Sequence, residues 1–187
     1  MFTSLPNLLT WLRVLAIPLL VGVFYLPVSA PARDIIATVL FVGAAITDWL
    51  DGWLARKMGQ TSAFGAFLDP VADKLIVCTA LVVLVHLDRV DALVAAIIIG
   101  REITISALRE WMAQMGASAS VAVHSIGKLK TISQLVAIPM LLFHGVLFGI
   151  LDTRVVGTWL IYLASVLTVW SMAYYLRRAW PYLQGTK

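Results

Sequence analysis

Charge and sulfur are what this chain has least of. Asp, Glu, Lys and Arg together make up 13% of its 187 residues, against about 25% in soluble globular domains. A water-facing surface cannot be built from so little, which excludes a soluble monomer. A hydrophobic share of 61% equally excludes a disordered chain. With one cysteine, Cys78, there is no internal disulfide and no thiolate metal cage, so a metal would have to be held by oxygen or imidazole. Runs of like charge are also missing. The net charge of +4 is spread thinly between apolar stretches, as membrane-flanking charges are, and forms no basic face of the kind nucleic acid requires.

What is present is long apolar segments, with a mean hydropathy of +0.93. They fall at about 8–26, 35–54, 67–87, 92–112, 131–150 and 155–176, separated by charge, Pro or Gly. Roughly 20 helical residues at 1.5 Å rise cross a 30 Å hydrocarbon core, so the expectation is an all-α integral membrane protein of six transmembrane helices. β-branched stretches such as 95–99 would pass for strands in water, but a lone strand in lipid leaves its backbone unpaired. An even number of spans puts both termini on one side. Arg56, Lys57, Lys128, Lys130, Arg177, Arg178 and Lys187 then face Arg33, Arg89 and Arg154 across the membrane, and the excess marks the termini as cytoplasmic. Arg13, the apolar stretch to Leu26 and Val28-Ser29-Ala30 imitate a signal peptide. The missing Lys or Arg before residue 13 and the membrane-like sequence that follows argue against cleavage. Short connections and the lack of repeats indicate one domain over 1–187.

The charges inside or at the rims of spans are the informative ones: Arg13, Asp48, Asp51, Asp69, Asp73, Lys74, Arg101, Glu102, Arg109 and Glu110. A carboxylate at mid-span costs about 2.5 to 3.5 kcal/mol. On a helix Asp48 and Asp51 fall about 60° apart, and Asp69 and Asp73 about 40° apart, so each pair shares a face. The short link between the second and third segments makes them an antiparallel hairpin, on which the four acids can converge. Four acids so close cannot all ionise without cations, and hard Mg²⁺ or Mn²⁺ suits carboxylate oxygen. The plainer alternative, helix-end acids paired with Arg56 and Lys74, fits a single Asp better than two spaced pairs on consecutive spans.

Asp48-Trp-Leu-Asp51-Gly52-Trp-Leu-Ala55-Arg56, followed by Gly65, Asp69 and Asp73, resembles the signature D-x2-D-G-x2-A-R-x8-G-x3-D-x3-D of the CDP-alcohol phosphatidyltransferase family. Residues 64–74, 101–112, 120–123 and 127–131, with Gln134, are similar to a bacterial branch of that family whose acceptor is sn-glycerol 3-phosphate. The resemblance implies six spans, a homodimer, and a polar cavity open to the cytoplasm in the bacterial inner membrane. It implies that Asp48, Asp51 and Asp69 ligate two divalent ions, Mg²⁺ or Mn²⁺, and that Asp73 is both ligand and catalytic base. Gly52, Arg56, Ser62 and Gly65, with the polar turn Asn7 to Thr10, are implied as contacts of CDP-diacylglycerol. Phosphatidyl transfer would release CMP and leave phosphatidylglycerophosphate among the membrane lipids.

An anionic acceptor needs cations of its own. Arg101 and Arg109 lie about two turns apart on one helix face, and Lys128 and Lys130 begin the fifth span. These four are the candidate acceptor site, against the alternative that Arg101–Glu102 and Arg109–Glu110 are structural ion pairs and the lysines flank the membrane. Other acceptors (glycerol, serine, inositol phosphate, phosphatidylglycerol) stay open on the residues alone, as does a divalent-cation transporter, which would instead place acids near span centres. His86 and His144 suit the far interface, His124 lies nearer the acids, and Trp11, Trp111 and Trp180 suit the aromatic belt. Gly145 to Gly149 is a GxxxG that could pack helices.

Overall fold

The structure is a computed structural model. It describes the backbone of residues 5–58, 63–115 and 125–184, and side chains for 8–50, 67–115, 129–180 and 184. The apolar segments become six helices: α1 Leu5–Gly22, α2 Ala30–Met58, α3 Ala63–His86, α4 Ala92–Gln114, α5 Ser125–Phe143 and α6 Thr153–Leu183. α1 lies against α2 and α3, α5 against α6 and α2, and α4 against α6. The sequence expectation of an all-α membrane protein therefore holds at the level of helices. Among the described residues, three stretches are long and apolar enough to cross a membrane, Leu8–Tyr25, Ala30–Leu50 and Thr153–Trp180, and Leu129–Phe143 is a shorter apolar helix. α3 and α4 are interrupted by Asp69, Asp73 and Lys74, and by Arg101, Glu102, Arg109 and Glu110.

The core is built where helices cross. Leu20, Phe41, Leu81, Leu84, Ile98, Ile138, Leu141 and Leu142 interlock, with Ala37, Ala80 and Ala137 letting backbones approach. A second cluster, Ile105, Met112, Tyr175 and Ala179, joins α4 to α6. The outward faces are also apolar, with Leu15, Val39, Trp159, Val166 and Trp170 all largely exposed. In water such a girdle would be an aggregation surface; against acyl chains it is solvated.

The connections on the side of the bundle away from the acids are tied down by side chains. Arg33 Nη1 donates to Phe24 O (3.1 Å), and Asp91 caps α4 by accepting from Leu93 N at 2.8 Å. Arg89, between α3 and α4, forks onto both Asp34 oxygens at 2.9 Å. Its other nitrogen donates to Leu141 O (3.2 Å) and Leu142 O (2.8 Å) at the end of α5. One guanidinium thus fastens three elements and satisfies carbonyls a helix end would leave bare.

One span boundary differs from the sequence expectation. α5 stops at Phe143, and residues 146–152 form a small antiparallel hairpin in which Val146 faces Asp152 and Leu147 faces Leu151. His144, Phe148 and Gly149 take left-handed φ of 48°, 52° and 72°, which no helix accommodates. Thr153 Oγ1 closes the turn by donating to Gly145 O at 2.8 Å. The GxxxG of Gly145 and Gly149 is therefore a turn and packs no helices. That role belongs to Gly157: a Cβ there would meet Leu141 Cγ at 2.8 Å and Met140 Cβ at 3.2 Å, so its bare Cα is what brings α6 onto α5.

Candidate active site

Because the helices alternate in direction, the start of α1, α3 and α5 and the later halves of α2, α4 and α6 meet at one end of the bundle. A cavity of about 590 Å³ opens there, lined among others by Arg13, Asp48, Asp69, Asp73, Arg101, Glu102, Arg109, Lys130, Gln134 and Tyr175. Nearly every charge that apolar segments should not contain has gone to this one place.

The acidic wall is organised by α1. Thr10 and Arg13, one turn apart and both buried, reach across to α2 and α3. Thr10 Oγ1 donates to Asp69 Oδ1 at 2.5 Å. Arg13 Nη1 lies 3.0 Å from Asp48 Oδ1 and also donates to Asp73 Oδ1. The Arg13 side chain is 1% exposed, while those of Asp48 and Asp73 are 46% and 41% exposed. The guanidinium is thus sunk in protein while the carboxylates it holds look into the cavity. The sequence reading noted Arg13 as a misplaced charge but gave it no partner.

Asp48, Asp69 and Asp73 are thereby brought to one cavity, as the sequence proposed, although Thr10, expected as a contact of CDP-diacylglycerol, is engaged with Asp69. Asp51, Gly52, Arg56, Ser62, Gly65, Asn7 and Lys128, and also His124, lie outside the described side chains. Among the described residues no three metal-ligating side chains stand together as a finished metal cage. The donor chemistry nevertheless fits a hard divalent ion. Two carboxylates from different helices already share one cation, and only oxygen is offered.

The opposite wall carries the cations. Glu102 Oε1 receives Arg101 Nη1 at 3.1 Å and also Lys130 Nζ, whose side chain is 2% exposed. Of the two ion pairs weighed from the sequence, Arg101–Glu102 forms, whereas Arg109 donates to Tyr175 Oη at 3.5 Å. The Arg109 and Arg101 guanidinium carbons lie 5.4 Å and 5.9 Å from the Tyr175 ring centroid, a distance at which the ring quadrupole attracts a cation. Tyr175 thus holds two like charges on one side of the cavity. Tyr175 was not singled out from the sequence, since one Tyr in an apolar helix carries no pattern; Glu102 was noted only as a misplaced charge beside Arg101, and Gln134 only within the resemblance, neither of them as a site residue. Away from the site, burial and the nearby Arg89 lower the pKa of His144 below the usual imidazole value.

An acid wall facing a cation wall suits a substrate that is itself both metal-seeking and anionic, and the comparisons with known proteins agree. Residues 3–170 match the family of CDP-alcohol phosphatidyltransferases. Proteins named CDP-diacylglycerol--glycerol-3-phosphate 3-phosphatidyltransferase from Shigella flexneri serotype 5b (strain 8401) and Escherichia coli (strain K12) are each 49% identical over 178 residues, covering 94% of both chains. One of the same name from Salmonella choleraesuis (strain SC-B67) is 49% identical over 179 residues, again with 94% coverage of each. With this match spanning most of its length, the chain belongs to the CDP-alcohol phosphatidyltransferase family.

Proposed function

We propose that this chain transfers the phosphatidyl group of CDP-diacylglycerol to sn-glycerol 3-phosphate, releasing CMP and leaving phosphatidylglycerophosphate in the membrane. The observation that carries the reading is the single cavity in which the signature carboxylates Asp48, Asp69 and Asp73 face Arg101, Arg109 and Lys130. The names of relatives at 49% identity support the same substrates.

Asp48, Asp51, Asp69 and Asp73 are the residues that would hold one or two Mg²⁺ or Mn²⁺ ions. Bound there, divalent ions offset the charge of a pyrophosphate and of its leaving group. The chain's own groups do the rest. Asp73 accepts the proton of the acceptor's 1-hydroxyl, whose oxygen attacks the lipid-bearing phosphorus as the bond to the CMP oxygen breaks. Arg109, Lys130, Arg101 and Lys128 hold the acceptor's phosphate, with Tyr175 fixing the two arginines. Gly52, Arg56, Ser62, Gly65, Asn7 and Thr10 are the residues that would contact the CDP moiety, where a guanidinium offers paired donors to phosphate.

In this reading the whole chain is one domain with six membrane-crossing helices, α3 and α4 being admitted because their charges turn into the cavity. The termini and the cavity face the cytoplasm of the bacterial inner membrane, where soluble glycerol 3-phosphate arrives, and two copies form the working dimer. Acids gathered at one end of the bundle disfavour a transporter, which needs them near its middle.

Purified protein in detergent with CDP-diacylglycerol, Mg²⁺ and a panel of acceptors tests this directly. CMP should be released with sn-glycerol 3-phosphate and hardly at all with glycerol, serine or inositol phosphate. CMP release with a different acceptor in its place would refute the acceptor assignment, and none with any acceptor would refute the reaction.

A further inference from the structure

Gln134 stands one turn after Lys130 on α5 and lines the same cavity. It is 6% exposed, and its Oε1 is buried with no hydrogen-bond donor among the described residues. Arg101 presents the complementary defect in the same cavity: it is 9% exposed and its Nε is buried without an acceptor. Buried polar groups in folded proteins are nearly always paired, and one left unmade destabilises by more than a formed bond contributes. Both residues line one cavity, so a small ligand bound there is within reach of the two defects once the side chains turn toward it. Its chemistry follows from their senses. A phosphate satisfies Arg101, but a deprotonated anion has nothing to donate to an amide oxygen. Gln134 needs an O–H on the same small molecule. Rotation about the broad terminal torsion of the side chain turns its carboxamide toward the cavity.

We propose that the Gln134 carboxamide binds the non-reacting secondary hydroxyl of the acceptor, and so selects a polyol phosphate over a simple alkanol phosphate. The inference rests on the acceptor reading above and adds the residue that senses the acceptor's carbon skeleton. Lys130 and Arg109 recognise only the phosphate, which many metabolites share. Asp73 engages the primary hydroxyl, which any alkanol phosphate also offers. The secondary hydroxyl is what remains to be recognised, and a site built to bond a hydroxyl rejects the analogue lacking it.

The test pairs a protein change with a substrate change. Purified full-length protein in detergent, with Mg²⁺ and CDP-diacylglycerol, is assayed for CMP release with sn-glycerol 3-phosphate and with 3-hydroxypropyl phosphate, which keeps the phosphate and primary hydroxyl and lacks the secondary one. Wild type should prefer the glycerol compound by about 10- to 100-fold in kcat/KM, the scale set by leaving a buried acceptor unpaired. Gln134→Met, which keeps length without polarity, should bring the two acceptors to within about 3-fold of each other, chiefly by losing rate with the glycerol compound. A merely structural Gln134 would lower both rates together and leave their ratio intact, which overturns the inference. Wild type that uses both acceptors equally overturns it without any variant. If Gln134→Met is not recovered folded, Gln134→Asn withdraws the amide by one methylene and should lose the same discrimination; its retention would be equally fatal. CMP release with neither compound overturns the acceptor reading itself, and this inference with it.

Discussion

Replacing Arg13 by Gln removes the cation that Asp48 and Asp73 share. The size of the effect depends on which partner is buried. Breaking a fully buried pair destabilises by about 3 to 5 kcal/mol because a bare charge is left inside, while an exposed pair contributes about 0.2 to 1 kcal/mol. Here the guanidinium is 1% exposed and the carboxylates 46% and 41%, so the charges left behind are partly hydrated and the loss falls between, at about 2 kcal/mol. For a chain of this length that lowers Tm by about 4 to 8 °C. Unfolding followed by tryptophan fluorescence in detergent with EDTA would measure it. Added Mg²⁺ should then stabilise Arg13→Gln more than wild type, since it supplies the positive charge the variant lacks, and Arg13→Lys should fall between. An Arg13→Gln protein that melts with wild type in EDTA would show that Arg13 does not organise the acids.

EDTA should abolish CMP release and Mg²⁺ or Mn²⁺ should restore it; undiminished turnover in metal-free buffer would defeat the carboxylate-ligand assignment. Asp73→Asn should fall below about a tenth of the wild-type rate while still binding CDP-diacylglycerol, because an amide cannot accept the proton and a positioned base contributes 10²-fold or more. Arg109→Gln and Lys130→Gln should each reduce kcat/KM for sn-glycerol 3-phosphate by about 10- to 150-fold, the equivalent of one charge-assisted contact of about 1.5 to 3 kcal/mol. The KM for CDP-diacylglycerol should barely move, and wild-type acceptor kinetics in both variants would remove them from the site. Asp34→Asn, at the far end, should destabilise by about 1.5 to 3 kcal/mol by removing the charge-assisted bonds of Arg89, which keeps Leu141 O and Leu142 O, while the folded fraction keeps normal kcat/KM; an altered kcat/KM would mean the two ends are coupled.

How much of this could be seen in advance followed from how conspicuous each residue is against an apolar background. The helices were visible as long hydrophobic runs, and the acids because two pairs of carboxylates at helical spacing on consecutive apolar segments fit helix-end charges poorly. The end of α5 was not visible, since residues 145–150 are as apolar as the helix before them and only the left-handed backbone at His144, Phe148 and Gly149 breaks it. Arg13 stood out as a charge, but its partner Asp73 lies 60 residues away, and no local rule reaches that far. Tyr175 was invisible for the opposite reason, since it matters only through what the fold puts opposite it, and Gln134, marked by the resemblance alone, had no role until the fold gave it neighbours.

Gly157 gives the cavity its mechanics. Pressed against Leu141 with no room for a methyl group, it works as a rivet at the closed end of the α5–α6 hairpin. Lys130 stands about 16 Å along one arm and Tyr175 about 27 Å along the other, at 1.5 Å per residue. With arms of that length, parting their tips by about 1 Å takes only about 3° of rotation at the rivet. A methyl group added at 157 would therefore be felt far from where it sits, since a tilt of a few degrees at the hairpin's base displaces Lys130 and Tyr175 by about an ångström at the cavity.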